Sequence, residues 1–200
     1  MKLLAFTDLH LSTEALKKVK EKVKKSKPDL LVCAGDLTIF ENGLNEMLKR
    51  LSKIKKNILL IHGNHETASS MRKICSKYDN LIFIHNKHHI IDDYLFLGHG
   101  GGGFSIVDKG FKKIGKNFKK IIKKNKGKKT ILITHAPPYK TKLDFIIDQH
   151  CGNKSIRKFI EKNKINLHLS GHLHENFRKK DTIKKTETIN PGPYGKVIRV

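Results

Sequence analysis

Tryptophan is absent from this chain of 200 residues, and cysteine occurs only as Cys33, Cys75 and Cys151. No CxxC pair occurs and one thiol is left over, so neither a disulfide framework nor a zinc ribbon is indicated, and the three are expected as small buried apolar residues. No apolar run approaches the roughly 20 residues that a membrane helix needs. The first run, Leu3 to Phe6, gives way at once to Thr7, Asp8 and His10, which argues against a signal peptide. The expectation is a cytoplasmic chain with no membrane partner. Acidic residues are scarce as well: 18 Asp+Glu stand against 42 Lys+Arg, a formal charge of +24. That charge is enough to draw polyanions through counterion release, which raises nucleic acid as a partner. The basic residues are overwhelmingly Lys and recur on the polar faces of helical segments, where a solvated surface is the favoured reading.

Hydrophobic residues make up 38% of the chain, with glycine and proline spread along it, which suits one compact domain over residues 1–200. No internal repeat and no long linker divides it. Short apolar runs at Leu3 to Phe6, Leu30 to Ala34, Ile58 to Ile61 and Ile131 to Ile133 read as strands buried on both faces, for which parallel pairing is the simplest outcome. Between the first two, Leu16, Val19 and Val23 fall at helical spacing from a start near Ser12 or Thr13, and Pro28 closes that helix. Between the next two, Leu44, Met47, Leu48, Leu51 and Ile54 repeat the stripe and are expected to face the core. From Leu81 to Leu97 the runs crowd together around Ile84-His85-Asn86-Lys87, and hairpin-type strands are expected there. A Lys-rich amphipathic segment through Phe111, Ile114, Phe118, Ile121 and Ile122 follows. After the Ile131 strand come a Pro137-Pro138 loop, a helix near Ser155 to Asn163, and short strands near Thr186 to Ile189 and Lys196 to Val200.

Residues with metal-ligating chemistry gather where these runs end. Asp8 and His10 follow the first, Asp36 follows the second after Gly35, Asn64 and His65 follow the third after Gly63, and His135 follows the Ile131 strand. Ligands of open α/β sheets bind outside the carboxyl ends of strands, so these groups are expected on one rim. His172 and His174, after the run Leu167 to Leu169, add two imidazoles on the same face of an extended segment. Carboxylates, imidazoles and an amide oxygen without thiolate suit Mn²⁺, Fe²⁺, Zn²⁺ or Mg²⁺, with Mn²⁺ the expected ion. One ion does not need seven protein ligands. Two ions roughly 3.5–4 Å apart do, provided that a carboxylate bridges them, and Asp36 is the natural bridge. Taken singly, Asp-x-His is an ordinary strand-end pair, Gly-Asn a turn and His135 a loop histidine. All of them at strand ends in this order make coincidence a poor account.

As a set, Asp8-x-His10, Gly35-Asp36, Gly63-Asn64-His65-Glu66, His135 and Gly171-His172-x-His174 resemble the five-part signature of calcineurin-like metallophosphoesterases. Gly98 to Phe104, His135-Ala136-Pro137-Pro138-Tyr139, His150 to Phe159 and Asn190-Pro191-Gly192-Pro193 resemble the small Icc-related bacterial and archaeal members. The resemblance implies an α/β fold of two facing mixed β-sheets flanked by helices. It implies one metal held by Asp8, His10, Asp36 and His174 and another by Asp36, Asn64, His135 and His172, with His65 facing the scissile phosphate. The Arg that often follows the Gly-Asp motif in larger relatives is missing from Asp36-Leu37-Thr38-Ile39-Phe40, so an Arg clamp from that loop is not expected.

The function so implied is metal-dependent hydrolysis of a phosphodiester or phosphomonoester by attack of a metal-bridging hydroxide. Asn64 and His65 would contact the substrate, and His65 would protonate or hydrogen-bond the leaving oxygen, a role open to imidazole near neutral pH. Glu66 is expected to cap the next helix. His62, His85, His88, His89, His99 and His168 read as bystanders. His150 stands with Gly152 and Asn153 before a helix whose N-terminus suits an anion, and is carried as a substrate-binding candidate. The run Gly100 to Gly103 reads either as a backbone cradle for phosphate or as a flexible turn. Two other functions stay open. One is a nuclease acting on nucleic acid drawn in by the basic surface, although aromatic residues are not interleaved with Lys along the sequence. The other is a non-catalytic scaffold, disfavoured because every ligand is present.

Overall fold

The computed structural model describes residues 1–200. Strand β1 (Lys2–Phe6) leads through helix α1 (Thr13–Ser26) to β2 (Leu30–Cys33), and the step repeats through α2 (Leu44–Ser52) to β3 (Ile58–Leu60) and through α3 (Ala68–Cys75) to β4 (Leu81–Phe83). Each of these strands pairs in parallel with the one before it. The last strand, β13 (Lys196–Arg199), adds antiparallel to β1 and completes a sheet of order β13-β1-β2-β3-β4. A second sheet takes β5 (Lys87–Ile91), β6 (Tyr94–His99), β7 (Lys129–Thr134), β10 (Leu167–Leu169), β11 (Lys180–Ile183) and β12 (Thr186–Ile189). Its order is β11-β12-β10-β7-β6-β5, parallel through the middle with one antiparallel strand at each edge. Helices α4 (Lys109–Lys124) and α5 (Lys154–Lys162) and a small ribbon, β8 (Phe145–Ile146) with β9 (Gln149–His150), lie in its connections.

The two-residue period of a strand explains the layering. Leu3 and Ala5 of β1, with Leu30 and Val32 of β2, face Phe96, Ile131, Ile133, Leu167 and Leu169 of the second sheet. Their neighbours Leu4 and Phe6 point the other way, onto Leu16 and Val19 of α1 and Met47 and Leu51 of α2. Leu95, Leu97 and Leu132 likewise turn outward onto Phe111 and Phe118 of α4 and Ile156 and Ile160 of α5. The result is a sandwich of two facing mixed sheets with helices on both outer surfaces. Burying a leucine, isoleucine or phenylalanine fully is worth about 1.5–3 kcal/mol, so the strands are anchored firmly and their ends can hold costly conformations. The helices start and stop as their sequences require: Ser12 accepts the Ala15 N–H at the head of α1, and Lys27, in the left-handed region, ends it before Pro28. The lysines of α4 and its neighbours form the exposed face opposite Phe111, Gly115 and Phe118.

Two expectations need correction. The parallel order does not pause at Leu81, because β4 pairs with β3, and Ile84-His85-Asn86 carries the chain across to the other sheet. The hairpin is the next one, β5 to β6, which turns at Asp92-Asp93 with Asp92 in the left-handed region. Turn residues mark both places alike, and only the partner strand distinguishes a crossover from a hairpin. Among the cysteines, Cys33 and Cys75 are buried as expected, whereas Cys151 is only half-buried. No helix is long and apolar enough to cross a membrane.

His168 lies at the centre of the second sheet, fully buried between Thr134 Oγ1 at 2.9 Å and Thr188 Oγ1 at 3.0 Å. Burial pushes its pKa down to about 3. The unfolded chain protonates this imidazole below about pH 6.5 while the folded chain does not, so its contribution favours the folded state less as pH falls from there toward 3. His168→Asn should therefore take up about one proton fewer on unfolding between roughly pH 6 and 4, read from the pH dependence of urea midpoints. An unchanged slope would show that His168 does not stay neutral in the folded protein.

Candidate metal centre

The carboxyl ends of β1, β2, β3, β7 and β10 open onto one rim, and each expected ligand stands within a few residues of such an end. The loops are tied to one another by backbone hydrogen bonds. Asp8 donates to Gly35 O (2.9 Å), His10 to Asp36 O (3.2 Å) and Gly171 to His135 O (3.0 Å). Asp8, His10, Asp36 and His172 all hold positive φ, between 41° and 73°. Each such residue costs on the order of 1–3 kcal/mol, and that strain concentrates here because the buried strands beneath impose it. Two glycines give the carboxylates room. A Cβ on Gly63 would collide with the Asp36 carboxylate, and one on Gly171 with Thr7 and Asp8.

The backbone also aims the carboxylates. Asp36 Oδ1 accepts the His65 N–H at 3.0 Å, leaving Oδ2 to face His135 Nε2 at 3.1 Å, His10 Nε2 at 3.8 Å and His65 Nε2 at 4.0 Å. Asp8 accepts the His172 N–H on both oxygens, at 3.2 and 3.1 Å. The imidazoles are set from behind. His10 gives Nδ1–H to Thr38 O at 3.0 Å and His135 gives Nδ1–H to Ala34 O at 2.9 Å, so each presents Nε2 to the centre. Nε2 of His10 then lies 3.2 Å from Nε2 of His174, and Nε2 of His135 lies 3.1 Å from Asn64 Oδ1.

Three ligand groups emerge, each with donor atoms within 4.8 Å of one another: Asp8, His10 and His174; Asp36, His135 and His172; and His10, Asp36 and His65. The first two are separate, and Asp36 reaches His10 of the first. One donor fits a cation especially well, since His172 Nε2 is buried with no hydrogen-bond partner. Burial, then the neighbouring His135, pushes the His172 pKa down to about 4, leaving its lone pair free at neutral pH. Burial opposes charge on both His135 and Asp36, but their mutual hydrogen bond prevails, raising His135 to about 9 and lowering Asp36 to about 2. A proton on His135 Nε2 thus occupies the place of a cation between Asp36 and Asn64, and metal binding there must weaken in acid.

The sequence model of one protein family, the calcineurin-like phosphoesterases, matches residues 1–176. The chain belongs to that family. Membership carries metal-dependent phosphoester hydrolysis as its activity and divalent cations as its cofactors. The chain is 33% identical over 205 residues to an uncharacterized protein, MJ1162, of Methanocaldococcus jannaschii, spanning 96% of this chain and 88% of that one. Among solved structures it resembles the protein TT1561 of Thermus thermophilus, with a TM-score of 0.76, 14% identity and coverage of 96% of this chain and 89% of that one. It also resembles a dimetal phosphatase from Danio rerio, with a TM-score of 0.70, 8% identity and coverage of 94% and 86%. At such identities these likenesses establish the fold alone.

Within this metallophosphoesterase the residue Glu66 has a different place from the expected cap. Thr67 caps α3, accepting the Ser70 N–H at 3.2 Å. Buried Glu66 turns inward, where Oε1 accepts from Thr38 N (2.8 Å) and Thr38 Oγ1 (2.9 Å) and Oε2 accepts from Gly63 N (3.1 Å). It clamps the loop after β2 to the loop after β3. The adjacent threonine hydroxyl takes the capping position, which frees the longer glutamate to satisfy buried N–H groups. His150 is tied to buried Asp144 at 2.8 Å, and the N-terminus of α5 is filled by Asn153, which accepts from Ser155 N and Ile156 N. The structure thus joins His150 to the loop around Asp144, with no contact to the ligand groups. The Gly100 to Gly103 run passes over His62 and Ala136 and beside Asn64, carrying Phe104 onto His172.

Sequence reasoning missed the aromatic residues around the centre. Phe40 packs on His65 (4.8 Å between ring centroids), Phe104 on His172 (4.5 Å) and Phe177 on His174 (4.8 Å). Phe40 and Phe104 are 74% and 68% exposed, too open to be core residues. Large apolar residues in polar loops next to ligand motifs were the available signal.

Proposed function

We propose that residues 1–200 form one phosphoesterase domain with a dinuclear centre, which hydrolyses a phosphodiester or phosphomonoester with Mn²⁺ as the favoured ion. The observation that carries the reading is the pair of ligand groups linked through Asp36, one of them containing a buried imidazole nitrogen without a partner. Asp8, His10 and His174 would hold one cation and Asn64, His135 and His172 the other, with Asp36 serving both. The solved dimetal phosphatase of Danio rerio, alike in fold, supports two ions over one. Bound there, divalent cations supply an activated water near neutral pH and neutralise charge on the phosphoryl oxygens.

The chain itself supplies aim and a hydrogen-bond donor. The His65 and His172 N–H groups hold the two carboxylates in orientation before any substrate arrives. The Phe40 N–H donates to His65 Nδ1 at 3.4 Å, so the ring proton sits on Nε2, the nitrogen that faces the centre. From there the Nε2–H hydrogen-bonds the leaving oxygen as charge develops on it. A reducing cytoplasmic setting agrees with three free thiols.

Dialysis against a chelator should abolish hydrolysis of both bis-p-nitrophenyl phosphate and p-nitrophenyl phosphate, and added Mn²⁺ should restore it. The ratio of the two restored rates gives the preference between diester and monoester. Turnover that survives complete metal removal would sink the reading, as would silence on both esters from protein shown by elemental analysis to hold two metals.

A further inference from the structure

The loop that carries the candidate ligand His174 continues directly into a basic cleft. Phe177 stacks on His174 and also lines an open cleft of about 410 Å³ between α1 and the turn Pro191 to Gly195. Lys18, Lys22 and Arg178 line it against a single carboxylate, Glu14, and the cleft runs on past Lys25 and Lys196. Of these five cations only Lys18 has an ion-pair partner, Glu21 at 3.7 Å. Lys22 is held in place by Gly195 O, which accepts from its Nζ at 2.7 Å. Burial, and then the charges of Arg178 and Lys18, hold the Lys22 ammonium below the ordinary lysine range.

Arg178 is held in the left-handed region at φ 67°, with its N–H bound to Asn190 O at 2.9 Å. The cleft is not purely ionic. Phe177, Pro191, Pro193 and the half-exposed Tyr194 form its apolar wall. Aromatic rings beside a track of cations are what a strand of bases and phosphates requires, whereas inorganic polyphosphate has no use for the rings. In the sequence Lys18, Lys22 and Lys25 lie far from Phe177 and Tyr194, and the fold alone brings them together.

We propose that this cleft is the track of a single-stranded nucleic acid that reaches the metal centre past Phe177. The proposal rests on the phosphoesterase reading for the chemistry at that centre, and adds that the substrate is a polynucleotide gripped on the side of α1. Cations from α1 and the loop after β10 hold successive phosphates, and Tyr194 stacks with a base.

Binding of a fluorescein-labelled dodecathymidylate, followed by anisotropy over a range of salt, tests this without turnover. Lys22→Glu with Arg178→Glu should weaken binding at least about tenfold and flatten the slope of log affinity against log salt by about 1.4, two contacts at about 0.7 each. Tyr194→Ala should weaken binding about fivefold or more, while binding of linear inorganic polyphosphate stays unchanged. Lys116→Glu with Lys120→Glu, on the exposed face of α4, should leave both unaltered. Equal loss from the α4 reversal would reduce binding to bulk charge and overturn the proposal, as would an unaltered affinity in the cleft variants. Weakening by the charge reversal with no effect of Tyr194→Ala would assign the cleft to polyanions in general and overturn the nucleic acid. Wild-type silence with Mn²⁺ on bis-p-nitrophenyl phosphate and on the oligonucleotide alike would defeat the phosphoesterase reading separately, leaving the binding result to stand or fall by itself.

Discussion

Asp36→Asn should abolish metal-dependent turnover, by about a thousandfold or more, and reduce bound Mn²⁺ below two per chain. A thousandfold corresponds to about 4 kcal/mol of lost transition-state stabilisation, within what a pair of cations contributes. The substitution is nearly isosteric. An asparagine keeps the oxygen that accepts the His65 N–H, and it tolerates the left-handed φ of 52° at this position. The loop should therefore keep its shape, while the metal-free protein loses its charged hydrogen bond to buried His135 and should melt at a lower temperature. What the variant loses is charge at Oδ2, the atom that faces His10, His65 and His135 together. The ligand groups contain only two carboxylates, Asp8 and Asp36. Removing one halves the negative charge available to cations that must sit close to each other. Full metal content and full activity in the asparagine variant would remove Asp36 from the centre.

The strands of the fold were legible in the sequence for a simple reason. Both faces of β1, β2, β3 and β7 are covered, so their residues are apolar throughout and stand out from the Lys-rich helices. The change of sheet between β4 and β5 was not legible. A turn signal such as Ile84-His85-Asn86 records that the chain bends, and the choice of partner depends on contacts made only when both sheets are present. The short edge strand β11 and the ribbon of β8 and β9 escaped because so few residues carry little periodicity.

The candidate ligands were legible because chemistry and position coincide: each stands after a strand whose end the hydrophobic pattern already marked. Their supports were not. Glu66 sits inside a recognisable motif, yet its role depends on Thr38, 28 residues earlier, and nothing local distinguishes a clamp from a cap. Tyr194 and Lys22 meet only because β13 folds back onto β1, which draws the turn after Pro191 against α1.

His65→Ala should lower kcat by about 10²–10³, the span ascribed to losing one hydrogen-bond donor aimed at developing charge, while leaving the metal content at the wild-type level. The geometry allows two roles for this ring. Its Nε2 belongs to a group with His10 and Asp36 whose donor atoms are close enough to share an ion. Yet the Phe40 N–H occupies Nδ1 and places the proton on Nε2, and a nitrogen that carries a proton donates and does not ligate. Elemental analysis separates the roles, since loss of metal with loss of activity would make His65 a ligand. A second readout tests the donor itself. p-Nitrophenolate leaves readily unaided, whereas a poor leaving group such as phenolate or an alkoxide gains more from a hydrogen bond to its developing charge, so the damage should grow as the leaving group worsens. A plot of log kcat/KM against leaving-group pKa should therefore be steeper for the alanine variant than for the wild type. Parallel plots would confine His65 to binding or orienting the phosphate.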